Sequence, residues 1–169
     1  MTVQLTTEQV WQAIEKEVFA VLGMTNAKCE ARTVGIVYIV KNHRLYIASG
    51  ANAWKIRHIA QNPHVSLTIP VHKSIFFMPW VKIPAATITF SGHAKILDPQ
   101  ETPPEVVQAI FHGMENVEDL MDESRLIEVT PEKDFLTYGI GIPLMKMRDP
   151  EQSRGYVPVS NQAELSQTH

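Results

Sequence analysis

The 169-residue sequence predicts a mainly β domain, an antiparallel barrel with flanking helices. Three observations lead there. Short segments rich in β-branched residues recur along the chain, and segments with helix periodicity are few. The β segments are spaced as hairpins more often than as strand-helix-strand units, which disfavours a doubly wound parallel sheet. Hydrophobic residues make up 44% and charged residues 20%, enough apolar material for one sizeable core.

The first element is a helix. Thr6 can cap it, Gln9 can bond back, and Leu5 can pack on Val10. Val10, Ile14 and Val18 share its apolar face, with Glu15, Lys16 and Glu17 toward solvent. Residues 19–24 form a short apolar run, expected as a buried strand, and 26–28 a turn. Residues 33–40 are rich in β-branched side chains. Lys41-Asn42-His43 ends them, and 44–49 return as the second arm of a hairpin. Gly50 and Asn52 lead into a helix over about 53–61, stopped by Pro63, and 64–69 resume as strand.

Residues 71–84 form a long connection holding Pro79 and Pro84, a length that often carries function. A strand over 86–97 follows, with Gly92 expected at a bulge. Pro103 and Pro104 open a helix whose apolar face is Val106, Val107, Ile110 and Phe111. A second short helical segment covers 117–122. Late strands are expected over 126–130 and 135–140, and a last short one over 144–147. From Asp149 the chain turns polar. Residues 1–148 therefore read as the domain, and 149–169 as a polar tail, flexible or docked on a partner.

The formal net charge of -3 and a sequence pI of about 6.1 weigh against a nucleic-acid binder. The single Cys29 excludes an intrachain disulfide framework and any multi-cysteine metal site, and it suits a cytoplasmic location. A secretory leader and a membrane span are not expected, because no basic-then-apolar opening and no run of about 18 apolar residues is seen. The seven histidines show no His-x-x-x-His pair with a supporting carboxylate, so a metal site is not expected.

One constellation carries chemistry. Arg32 lies in one strand, Ser49 ends the next, and Lys55 lies in the helix that follows. Two cations and a hydroxyl in that order suit a phosphate, which needs charge-assisted donors. Arginine offers a planar fork and lysine a mobile point charge.

The stretch over 19–69, with Ser91-Gly92-His93-Ala94-Lys95-Ile96-Leu97 and Leu126-Ile127-Glu128-Val129, resembles the pyridoxamine 5′-phosphate oxidase-like FMN-binding split barrels. That resemblance implies a six-stranded antiparallel Greek-key split barrel. It also implies a homodimer with FMN in the grooves between its subunits. The family's phosphate-binding arginine matches Arg32, and its flavin-lining backbone matches Thr33, Val34 and Gly35. Its hydroxyl residue at the next strand end matches Ser49, preceded by Ala48, and its helix lysine matches Lys55.

There are departures. Ala53 and His58 stand where the family often has serine and asparagine. Trp54 stands where the family often has a small or basic residue, and its expected role is to wall the cofactor or to support the dimer. The vitamin B6 oxidases' late Trp-Gln and Arg-x-His signature is missing, so pyridoxamine phosphate is not the expected substrate. His72 and Trp80, beside and within the long connection, are the substrate-facing candidates. The expected function is an FMN-dependent oxidoreductase acting on a small molecule. A flavin- or haem-binding protein without catalysis, or a deazaflavin-dependent reductase, is the alternative on the same fold.

Overall fold

Two strands that follow one another in the chain stand at opposite ends of one sheet. A computed structural model describes residues 5–72, 86–143, 147 and 149–160. Trp80, and residues 144–146 of the expected last strand, lie outside them.

The helix α1 (Thr7–Lys16) opens the chain with a capping box. The Gln9 N–H donates to Thr6 Oγ1 at 3.2 Å, and the Thr6 N–H donates to Gln9 Oε1 at 2.9 Å. The helix stops before Val18, which is exposed and does not join the apolar face expected for it. β1 (Phe19–Thr25), β2 (Ala31–Val37), β3 (Ile39–Lys41) and β4 (Arg44–Gly50) follow, then α2 (Trp54–Gln61), β5 (His64–Val71) and β6 (Ala86–Leu97). Beyond a 3-10 turn at Pro99–Glu101 come α3 (Pro104–Ile110), α4 (Val117–Asp122), β7 (Ser124–Tyr138), α5 (Pro150–Ser153) and β8 (Arg154–Pro158).

All ladders are antiparallel, in the order β2-β1-β5-β6-β7-β4-β3, with β8 also on β7. The sheet therefore has eight strands, not six. β2 and β3 are separated by Tyr38 alone, yet β2 pairs with β1 and β3 with β4. One stretch of chain thus joins the two ends of the sheet and curls it into a barrel. Tyr38 is the pivot. Its N–H donates to the Val18 carbonyl at 3.0 Å, and its buried hydroxyl donates to the Ile14 carbonyl at 2.8 Å. Burial, aided by the Glu17 charge, pushes this phenol well above its ordinary pKa.

α1 plugs the barrel with Val10, Trp11 and Ile14, which meet inward residues of the strands such as Leu22, Leu67 and Phe135. The Trp11 ring stands edge-on to Phe135 and stacks on His43. Outside the barrel, α3 and α4 build a second apolar cluster on β4 and β7, around Tyr46, Val106, Phe111 and Leu126.

Three expectations need correction. The two late strands are one, β7, whose ladder with β6 shifts register between Thr89 and Ser91. Gly92 sits beside that irregularity, facing inward, where a Cβ would come within 2.8 Å of the Thr130 carbonyl oxygen. Part of the segment read as a polar tail is β8, whose Val157 enters the core.

Candidate functional site

Because β2 leaves β4 at Tyr38, a seam opens between them. No ladder joins these two strands among the described residues. Alternation decides what faces the seam. On β4, Leu45, Ile47 and Ser49 lie buried, and Ala48 faces out. On β2, Ile36 is buried, while Gly35 and Val37 face out.

The seam forms a slot of about 290 Å³. Gly35 and Val37 form one wall, Tyr46 and Ala48 the other, and Ile110 and Met114 close it from the end of α3. Lys55 reaches in from α2 and is the one charged residue of the lining among the described residues. The slot is thus apolar with a single cation. A Cβ at Gly35 would meet the Phe19 ring, outside the slot lining, at 2.9 Å.

Three sequence-predicted residues, Gly35, Ala48 and Lys55, come together in this slot. The others are placed elsewhere. Arg32 and Thr33 line a second concavity of about 640 Å³, with His64, Ser66, Glu132 and Lys133. The Arg32 guanidinium is ion-paired with Glu30 at 3.2 Å, and both side chains are half exposed. Val34 is partly buried against the core, and Ser49 is buried with its hydroxyl 3.5 Å from the Gly50 carbonyl. Trp54 is partly exposed and packs edge-on to His58, outside the slot lining. His72 lies on Glu17: its N–H donates to Glu17 Oε1 at 3.0 Å, and its Nδ1 is 2.9 Å from Oε2. Burial alone would raise the Glu17 carboxyl, but the bonds and charge from His72 outweigh it and hold the carboxyl below its ordinary value.

Sequence reasoning missed Tyr46, Ile110 and Met114. Tyr46 was within reach, since it shares the outer face of β4 with Ala48 two residues on. Its hydroxyl donates to Glu128 Oε2 at 2.8 Å, and Arg44 Nη1 is 3.4 Å from the same oxygen. Burial, then the Glu128 carboxylate, raise the Tyr46 pKa; Glu128 also raises that of Arg44.

No protein-family model matches the sequence, and no curated protein matches it with significance. Solved structures do match the fold. HutZ, the heme storage protein of Vibrio cholerae, aligns over 80% of this chain and 96% of its own, with TM-score 0.62 and 13% identity. A putative pyridoxamine 5′-phosphate oxidase from Listeria innocua aligns over 75% and 94%, with TM-score 0.55 and 17% identity. The chain has the pyridoxamine 5′-phosphate oxidase-like split-barrel fold. An F420 reductase shares this split barrel at TM-score 0.50 and 14% identity, over 71% of this chain and 90% of its own. Among the described residues of this split barrel, no helix is long and apolar enough to cross a membrane.

Proposed function

We propose that this chain is an FMN-binding oxidoreductase acting on a small molecule other than pyridoxamine phosphate. The observation that carries this reading is the slot itself, in which Gly35, Ala48 and Lys55 meet between apolar walls. FMN has a flat apolar ring and a phosphate dianion. The slot suits both demands, offering mostly apolar lining residues and one cation. Lys55 would hold the phosphate, and Arg32 would have to leave both Glu30 and the second concavity to join it. Gly35, with the neighbouring backbone of Thr33 and Val34, and Ala48 would line the flavin. Ser49 and Trp54 would support that wall.

When bound, FMN supplies hydride and electron chemistry, and the protein supplies position and field. The slot is small for a whole cofactor. We therefore place it at the interface of a homodimer, with a second copy completing the site. Outward Val37 and Met114, both on the slot and both well exposed, support that placement. His72 and Trp80 remain the proposed substrate-facing residues, and the single Cys29 supports a cytoplasmic location.

The similarity to HutZ favours a second reading, a haem-binding split barrel. The absorbance of the purified protein separates the two. Paired flavin bands, with release of FMN on denaturation, support the first reading, and a Soret band supports the second. Protein that is colourless and takes up no added FMN overturns the proposal.

A further inference from the structure

We infer that Tyr46, held by Glu128, is a positioning residue of the slot, and that the Arg44–Glu128 pair behind it sets how readily a bound flavin is reduced. The inference rests on the FMN reading above. Tyr46 is buried and lines the slot. A buried phenol without a partner is costly. Glu128 stands directly opposite it in the β4–β7 ladder and accepts its hydrogen bond. Glu128 is not part of the slot lining. The phenol O–H is therefore committed behind the wall, and the slot meets an aromatic ring instead of a free donor. That suits a flat apolar ligand face.

The charges behind the wall have an order. The Glu128 side chain is 15% exposed and that of Arg44 50%. Exposed Lys95 on β6 lies opposite Glu128 in the neighbouring ladder, and exposed Lys41 on β3 lies opposite Arg44. Glu128 is thus the least hydrated charge of the four, and its field is the least screened. It reaches the slot through one phenol ring. Arg44 offsets it. Removing the carboxylate leaves a net positive field behind Tyr46, and removing the guanidinium leaves a stronger negative one. Reduction adds electron density to a flavin, so the two removals act on its potential with opposite signs.

The test uses the full chain loaded with FMN. Its midpoint potential is measured against reference dyes, and its visible band and fluorescence are recorded. Glu128→Gln keeps an acceptor for the phenol and removes the charge; the potential is expected to rise. Arg44→Met keeps the stem and removes the cation; the potential is expected to fall. Tyr46→Phe and Glu128→Leu are expected to retain FMN and shift the visible band alike, with Glu128→Gln restoring the wild-type band. Equal-signed or absent potential shifts overturn the role of the charge pair. An unmoved band in Tyr46→Phe and Glu128→Leu overturns the positioning role. If the wild-type chain takes up no FMN, the cofactor reading fails and this inference with it. If FMN binds and the variants behave as wild type, only the inference fails.

Discussion

Lys55→Ala isolates the phosphate end of the proposed site. Lys55 is partly exposed and lines the slot together with Ala48 and Ile110. A hydrogen bond to a charged group contributes about 1.5–3 kcal/mol. Because water still reaches this side chain, the lower half applies, about 1.5–2 kcal/mol. At about 1.4 kcal/mol per tenfold, FMN should bind about 10–30-fold more weakly. Riboflavin has the same ring and no phosphate, so its affinity should be unmoved. Titration of flavin fluorescence with both ligands reads the contrast directly. Equal losses for FMN and riboflavin would refute the phosphate role of Lys55. Arg32 behaves differently, since it must first leave Glu30. An exposed ion pair is worth about 0.2–1 kcal/mol. Arg32→Ala should therefore cost less than Lys55→Ala. Glu30→Gln should tighten FMN by up to about fivefold. Unchanged FMN affinity in both variants removes Arg32 from the site.

Two glycines predict unequal costs for the same substitution. Gly92→Ala drives a Cβ into the Thr130 backbone and should destabilise by about 1–3 kcal/mol in urea unfolding. Gly35→Ala meets only the outer end of the partly exposed Phe19 ring, which can swing aside, so its cost should be smaller; the reverse ranking would refute this geometry. Trp11→Ala removes the plug between α1 and the barrel and should cost about 3–5 kcal/mol by the same measurement. For Glu17, the folded pKa lies below the ordinary 4.5. Its contribution is complete above pH 4.5 and is lost as pH falls through the folded value. Melting temperatures below pH 4.5 should therefore fall more steeply in wild type than in Glu17→Gln, and parallel slopes would refute the pairing with His72.

What was legible in the sequence was local. The Thr6–Gln9 capping box, the proline-opened α3 and the strand over residues 86–97 each follow from neighbours in the chain, and each is present. β7 was misread because Pro131-Glu132-Lys133-Asp134 has the composition of a turn. The strand carries these residues through its register shift, with Lys133 at a positive φ of 64°. β8 was missed because, among the described residues, its pairing is with β7 alone, and Val157 is its one buried residue. The site divides the same way. Gly35, Ala48 and Lys55 were legible from order along one stretch. Tyr46 and Glu128, 82 positions apart, meet only through the β4–β7 ladder, and no local pattern announces that pairing.

The pivot at Tyr38 has a consequence for how this barrel tolerates an edge. β2 pairs with β1 on one side, and among the described residues no strand covers its other side from Ala31 to Val37. Unpaired strand edges invite aggregation, and proteins generally blunt them with charge, a bulge or a covering element. Here part of that open edge overlooks an apolar slot. A ligand seated there would act as the missing neighbour, covering backbone that otherwise faces solvent or another chain. At a free concentration one hundred times its Kd, it would add about 2.7 kcal/mol to folding. Occupancy would then govern solubility as well as chemistry, and the empty protein would be the one whose open edge invites edge-to-edge aggregation.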